Sequence, residues 1–152
     1  MIGGDISSSS VAQEVVWIHG AIWSDKQVTH GLETAIFETS SSFANAATAL
    51  SRATGDQGIA AAYSGLEETV QSNMATIAGL ALHTRGHRQL QLGAIDSAWG
   101  SLHHSLVQIA NSAQNSAAID ESILLSDVRA IVVAERNAGI VSNLTLPAGV
   151  PV

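Results

Sequence analysis

Six glycines, Gly58, Gly65, Gly79, Gly86, Gly93 and Gly100, fall in one register of seven, and the single gap in that register is Ser72. With 13 Gly in 152 residues, random placement would put roughly 0.6 Gly in seven chosen positions. Inside a helix each Gly costs about 1 kcal/mol relative to Ala. Six of them would cost about 6 kcal/mol, most of the net stability of a domain. A chain that keeps them needs an offset. The expectation is a small-residue stripe along a helix, where no Cβ stands in the way of a neighbouring backbone and dispersion contacts multiply. A period of seven also keeps a seam facing a left-handed supercoiled partner.

A second stripe runs with the first. Leu92, Ile95, Trp99, Leu102, Leu106, Ile109 and Ala113 alternate steps of three and four, as the a/d positions of three heptads do. Leu66, Val70, Met74, Ile77 and Ala81 make a similar run earlier. Between the two runs lies the polar stretch His83-Thr84-Arg85-Gly86-His87-Arg88-Gln89. Either one helix continues through it, or the helix breaks near Gly86. Unbroken from 57 to 116, it would be about 90 Å long.

The rest of the chain is helical in period as well. Val11, Val15, Ile18 and Ile22 mark one helix face, after an N-terminal arm over residues 1–10. Ser24-Asp25-Lys26-Gln27 fits a capping box, which predicts a break before a helix carrying Val28, Leu32, Ile36, Phe43, Ala46 and Leu50. Thr54-Gly55-Asp56 ends that helix and starts the next. A polar stretch over 111–116 is a turn candidate. Asp120 can cap a last helix with Ile123, Leu124, Val128, Ile131, Ala134, Ala138 and Val141. The tail over 144–152 holds both prolines, so it is expected to be extended. Strand-type alternation is missing before that tail. The predicted fold is all-α: an elongated helical bundle with long coiled-coil-like helices. It has an arm over 1–10, one helical domain over 11–143 and an extended C-terminal tail over 144–152.

Composition narrows the function. Charged residues make up 12% of the chain, against ~25% in ordinary soluble proteins, and hydrophobic residues make up 46%. Such a surface suits a subunit that covers itself with copies of itself, because obligate interfaces are depleted in charge. A net charge of −7 argues against contact with nucleic acid. No run of 18 apolar residues suggests a transmembrane helix, and no basic n-region with a following apolar stretch suggests a secretory leader. The absence of Cys removes zinc fingers and disulfide scaffolds.

Reactive side chains form no catalytic constellation. His83 and His87 are four apart and would share a helix face, a weak metal-chelating candidate flanked by the repelling Arg85 and Arg88. No metal and no cofactor is expected. None of the six His has Glu three residues before it, which excludes a di-iron bundle. There is no Gly-x-Ser-x-Gly elbow and no Gly-rich phosphate cradle. Glu67 and Glu68 sit on adjacent helix faces rather than across a cleft. Trp17 and Trp23, on different faces of a helix, are candidate subunit anchors, and His19 is placed to stack on Trp23. Of the neighbours His103 and His104, one is expected to face solvent and the other to flank an interface.

Tyr63-Ser64-Gly65-Leu66-Glu67 fits a Tyr-x-x-x-Asp/Glu element. It resembles the export tag of small helical substrates of the mycobacterial-type secretion system. Those substrates also carry Trp-x-Gly in a hairpin turn, where this chain has Trp99-Gly100, and their tag lies near the C-terminus.

The expected function is structural. The chain reads as a non-enzymatic, self-assembling subunit of a homo-oligomeric shell, tube or filament, of the viral coat or exported filament type, in an extracellular or virion setting. Its partners would be copies of itself, meeting through Gly58, Gly65, Gly79, Gly86, Gly93 and Gly100 and the seam of Leu92, Ile95, Trp99, Leu102, Leu106 and Ile109. The alternative is a small helical interaction module, secreted or adaptor, that pairs with a different protein chain.

Overall fold

The computed structural model describes residues 22–112 and 121–145. Every regular element among them is helical: α1 (Asp25–Arg52), α2 (Gly55–Ala81), α3 (His87–Ser112) and α4 (Glu121–Asn137). The expectations for 1–10, the helix from Val11, Trp17, His19, the turn after 112 and the prolines of the tail lie outside the described residues.

α1 begins where the capping box predicts. Ser24 Oγ accepts from the Gln27 N–H at 3.2 Å, and Gln27 Oε1 accepts from the Ser24 N–H at 2.8 Å. Two donors that the helix start would leave unpaired are thereby satisfied. Asp25 in the first turn and Arg52 in the last complement the helix dipole. Val28, Leu32, Ile36, Phe43, Ala47 and Leu50 form its buried face, at the three-and-four spacing of one side of a helix.

Two residues separate α1 from α2. The turn is made by Gly55 at φ +74°, a left-handed conformation that residues with a Cβ avoid. Thr54 rather than Asp56 is the N-cap of α2, and its side chain makes no capping bond. α2 ends in three successive i→i−3 backbone bonds, from Leu82, His83 and Thr84. Gly86 follows at φ +63°, and α3 starts at His87. The helix therefore breaks near Gly86, and over residues 57–112 the chain forms two helices rather than one. α4 closes with a Schellman motif on Gly139 (φ +83°): Gly139 N–H donates to Arg136 O and Ile140 N–H to Glu135 O. It stops before Val141, which lies outside the helix.

Consecutive helices pack against each other, α1 on α2, α2 on α3 and α3 on α4. The short connections make the first three run up, down and up. Side-chain bonds fix the pairing further: Ser42 to Asn73 between α1 and α2, and Ser105 to Asp127 between α3 and α4. One core joins all four helices. Trp99 and Phe43 lie at its centre, fully buried, with rings edge to face at 5.7 Å, a favoured aromatic geometry. Ile140 and Leu144, past the end of α4, are buried in the same core, so the chain beyond α4 packs on its own bundle at least as far as Leu144.

Candidate functional site

The two stripes expected to act together face different ways. Leu92, Ile95, Trp99, Leu102 and Leu106 are buried and Ile109 is partly buried, all in the chain's own core. The glycines are elsewhere. Gly58, Gly65 and Gly79 lie on α2, Gly86 lies in the turn, and Gly93 and Gly100 lie on α3. Among the described residues, a Cβ added at 58, 65, 79, 86 or 93 would meet nothing within 4 Å, and at 100 only the end of the Met74 side chain at 3.6 Å. Close backbone approach through these glycines is thus not how the helices of one chain pack. The seam of large aliphatic side chains does that, because it removes far more apolar area from water.

What Gly65 and Gly79 of α2 border is a groove along the α1–α2 pair. Its first part, about 610 Å³, opens beside Trp23 and is walled by Gln27, His30, Gly31, Thr34, Ala35 and Glu38 of α1, by Thr76, Gly79 and Leu80 of α2, and by His83. A second part, about 440 Å³, lies between Ser42, Asn45, Ala46 and Ala49 of α1 and Ala61, Ala62, Gly65 and Thr69 of α2. Stepping 100° per residue, these positions fall on one side of each helix. The two parts are therefore stretches of a single lane, paved mostly with Gly, Ala, Ser and Thr.

Trp23 closes one end of the lane. Its indole stacks on His83 at 4.3 Å and 6°, and the Trp23 backbone N–H donates to His83 O at 2.9 Å. It packs so tightly on Gly31 that a Cβ there would lie 2.8 Å from Cζ3. Among the described residues, the anchor predicted for another subunit holds the start of α1 to the end of α2. Among the described residues, His83 is the ring it stacks on.

The same end of the bundle gathers the polar residues of the α2–α3 turn. Arg88 Nε meets Asp25 at 3.2 Å, and Nη2 donates to Thr29 at 2.7 Å. Nη1 donates to Ala138 O at 2.9 Å and Gln91 Oε1 at 3.3 Å. One guanidinium thus ties α1, α3 and the end of α4, which its planar fork permits and an ammonium would not. His83 lies in the turn and His87 opens α3, so the shared helix face assumed for chelation does not exist. His87 Nε2 sits 3.1 Å from Gln91 Nε2. No group of three or more His, Cys, Asp or Glu able to hold a metal occurs among the described residues. Ile22, Leu82, Leu90 and Val141 are all exposed at this end.

Other predicted positions are placed as follows. His103 Nε2 is 3.8 Å from Glu67 across α2 and α3, and His104 is exposed. Tyr63 is buried in α2, and burial raises its phenol above the ordinary value. In the described chain the Tyr63–Glu67 element is a stretch of packed helix.

Three buried polar groups escaped the sequence reading. Asn73 donates from Nδ2 to Thr39 O and accepts from Ser42 Oγ, both at 3.1 Å, inside the α1–α2 contact. Oδ1 of Asp96 is buried without a hydrogen-bond partner, and burial raises its pKa. Glu135 is fully buried, and neither carboxylate oxygen has a partner in hydrogen-bonding geometry. Burial pushes its pKa up, and the Ser142 hydroxyl only partly opposes this. A signal for Glu135 existed, since it stands seven residues after Val128 and four after Ile131, on the apolar face.

No helix among the described residues is long and apolar enough to cross a membrane. Compared with protein-family models, curated proteins and solved structures, the chain finds a match in none of the three.

Proposed function

We propose that the chain is a structural subunit that assembles with copies of itself into a shell, tube or filament, through helices packed across chains. The observation that carries this reading is the pair Gly65 and Gly93. Both are inside helices, and beyond its own helix backbone neither has an atom of the described residues within 4 Å of the place its Cβ would take. Each costs about 1 kcal/mol relative to Ala, and nothing within the described chain offsets that cost. Helix backbones from further copies, one laid in the lane beside Gly65, Ala61, Ala62 and Ala46 and one against Gly93 on α3, would supply the dispersion contacts that do. Sparse charge lowers the desolvation cost of such a contact. The buried Leu, Ile and Trp seam leaves the interface; the glycine stripe remains in it.

The test is light scattering and negative-stain microscopy of the purified chain at micromolar concentration. Regular particles or filaments many times the mass of one chain are expected. A monodisperse monomer overturns the reading. Co-purification with a stoichiometric different protein replaces it with the paired interaction module.

A further inference from the structure

We propose that the end of the bundle where α1 and α3 begin and α2 and α4 stop docks on the surface of an anionic lipid bilayer. Its charge carries the first part of the case. Lys26 in the first turn of α1, Arg85 in the α2–α3 turn, Arg88 at the start of α3 and Arg136 in the last turn of α4 all lie at this end. They are four of the six Lys and Arg residues in a chain of net charge −7. They also lie close in space. Arg85, Arg88 and Asn137 line one hollow of about 410 Å³, and Arg136 directly precedes Asn137. Lys26, Arg85 and Arg136 are exposed, and none forms an ion pair among the described residues. Of the two carboxylates at this end, Asp25 is paired with Arg88 and Glu135 is enclosed. The next on α1, Glu33, lies about 12 Å further along the helix than Asp25, beyond the Debye length of about 8 Å at physiological salt. The end therefore presents an excess of positive charge on an acidic molecule.

Apolar side chains share the same end. Seven large hydrophobic residues are exposed among the described residues, and four of them, Ile22, Leu82, Leu90 and Val141, are here. Leu82, Leu90 and Val141 are each more than two thirds exposed. Scattered singly such residues need no explanation; gathered among cations they do. They come from the ends of different elements, so together they form a tip rather than a groove, and a tip suits a plane better than a peptide. Arg and Lys can meet lipid phosphates while the aliphatic side chains enter the acyl boundary, the two signals that surface binding needs together. The acidic remainder of the chain is repelled by an anionic surface, so the contact has one orientation. It uses the tip and not the lane beside Gly65, and so stands apart from self-assembly.

The test is flotation of the full chain with phosphatidylcholine vesicles, with and without roughly one third phosphatidylglycerol. At low salt, partitioning onto the anionic vesicles is expected to be at least roughly tenfold stronger than onto the neutral ones, and to weaken as salt is raised. Arg85→Glu/Arg136→Glu and Leu82→Ser/Leu90→Ser change exposed side chains and should each lose at least roughly tenfold, with an unchanged helical spectrum. Arg52→Glu/Arg129→Glu makes the same change of net charge away from the tip and should stay within roughly twofold of the wild type. No binding of the full chain to anionic vesicles, or equal binding to neutral ones, overturns the proposal. So does an equal loss in the two charge variants, which would make net charge the cause. Self-association without vesicle binding, abolished by Arg85→Glu/Arg136→Glu, overturns it in favour of a second copy at this end.

Discussion

Glu135 is the residue whose burial runs furthest against its chemistry. A fully enclosed carboxylate is costly to ionise, and the folded state raises its pKa above the unfolded value. The folded chain therefore keeps the proton at pH values where the unfolded chain has lost it. Its contribution to stability is complete below the unfolded carboxyl value of about 4.3. That contribution is lost as pH rises through the raised folded value. Glu135→Gln removes this titration. Urea melts at a series of pH values should show the variant gaining on the wild type as pH rises from about 4 to 7, by about 1–2 kcal/mol at the upper end. A difference that does not change with pH would mean that the carboxyl is hydrated. Asn73 shows the opposite case: it is buried, but both ends of its amide are bonded, so it adds specificity to the α1–α2 pairing without a comparable penalty.

At the scale of elements, the ends of the helices hold more information than their middles. Gly86 lets the chain turn from α2 into α3 at a positive φ. Gly86→Ala should cost about 1–2 kcal/mol, read as a lower urea midpoint with an unchanged slope. At the same end Arg88 bridges α1, α3 and the residue after α4. Arg88→Lys keeps the charge and loses the fork, and should lower stability by about 1–2 kcal/mol. Raising the salt concentration should do little to the wild type, because Asp25 is largely exposed and its ion pair is already screened. A strong salt effect would show that charge, and not hydrogen bonding, holds this end together.

For the molecule as a whole, the question is what lies against the lane between α1 and α2 and against Gly93 on α3. Gly65→Ala and Gly93→Ala separate two effects. In a free chain each should stabilise by about 0.5–1 kcal/mol, because Ala is the better helix former and the space is empty. That gain would raise the melting temperature by a few degrees at concentrations where no assembly forms. In an assembly that brings a backbone against these positions, the added methyl should raise the concentration needed for assembly by tenfold or more. A rise in melting temperature with assembly unchanged would remove the glycines from the interface.

The helical class, the capping box at Ser24, the buried faces of α1 and α3 and the start of the next helix near Gly55 were all legible in the chain. Each depends on residues a few positions apart, and a helix is a local structure whose face repeats every three or four residues. The seven-residue glycine register was legible too, but its meaning was not. A single chain of letters does not say whether a register continues along one helix or folds over at Gly86 onto two helices of opposite direction. Only the tertiary structure decided that the Leu, Ile and Trp seam is core and the glycines are surface, that Trp23 stacks on His83, and that Glu135 is enclosed. Those outcomes join residues tens of positions apart, and what joins them is burial of apolar area shared among four helices, a quantity that no local pattern contains.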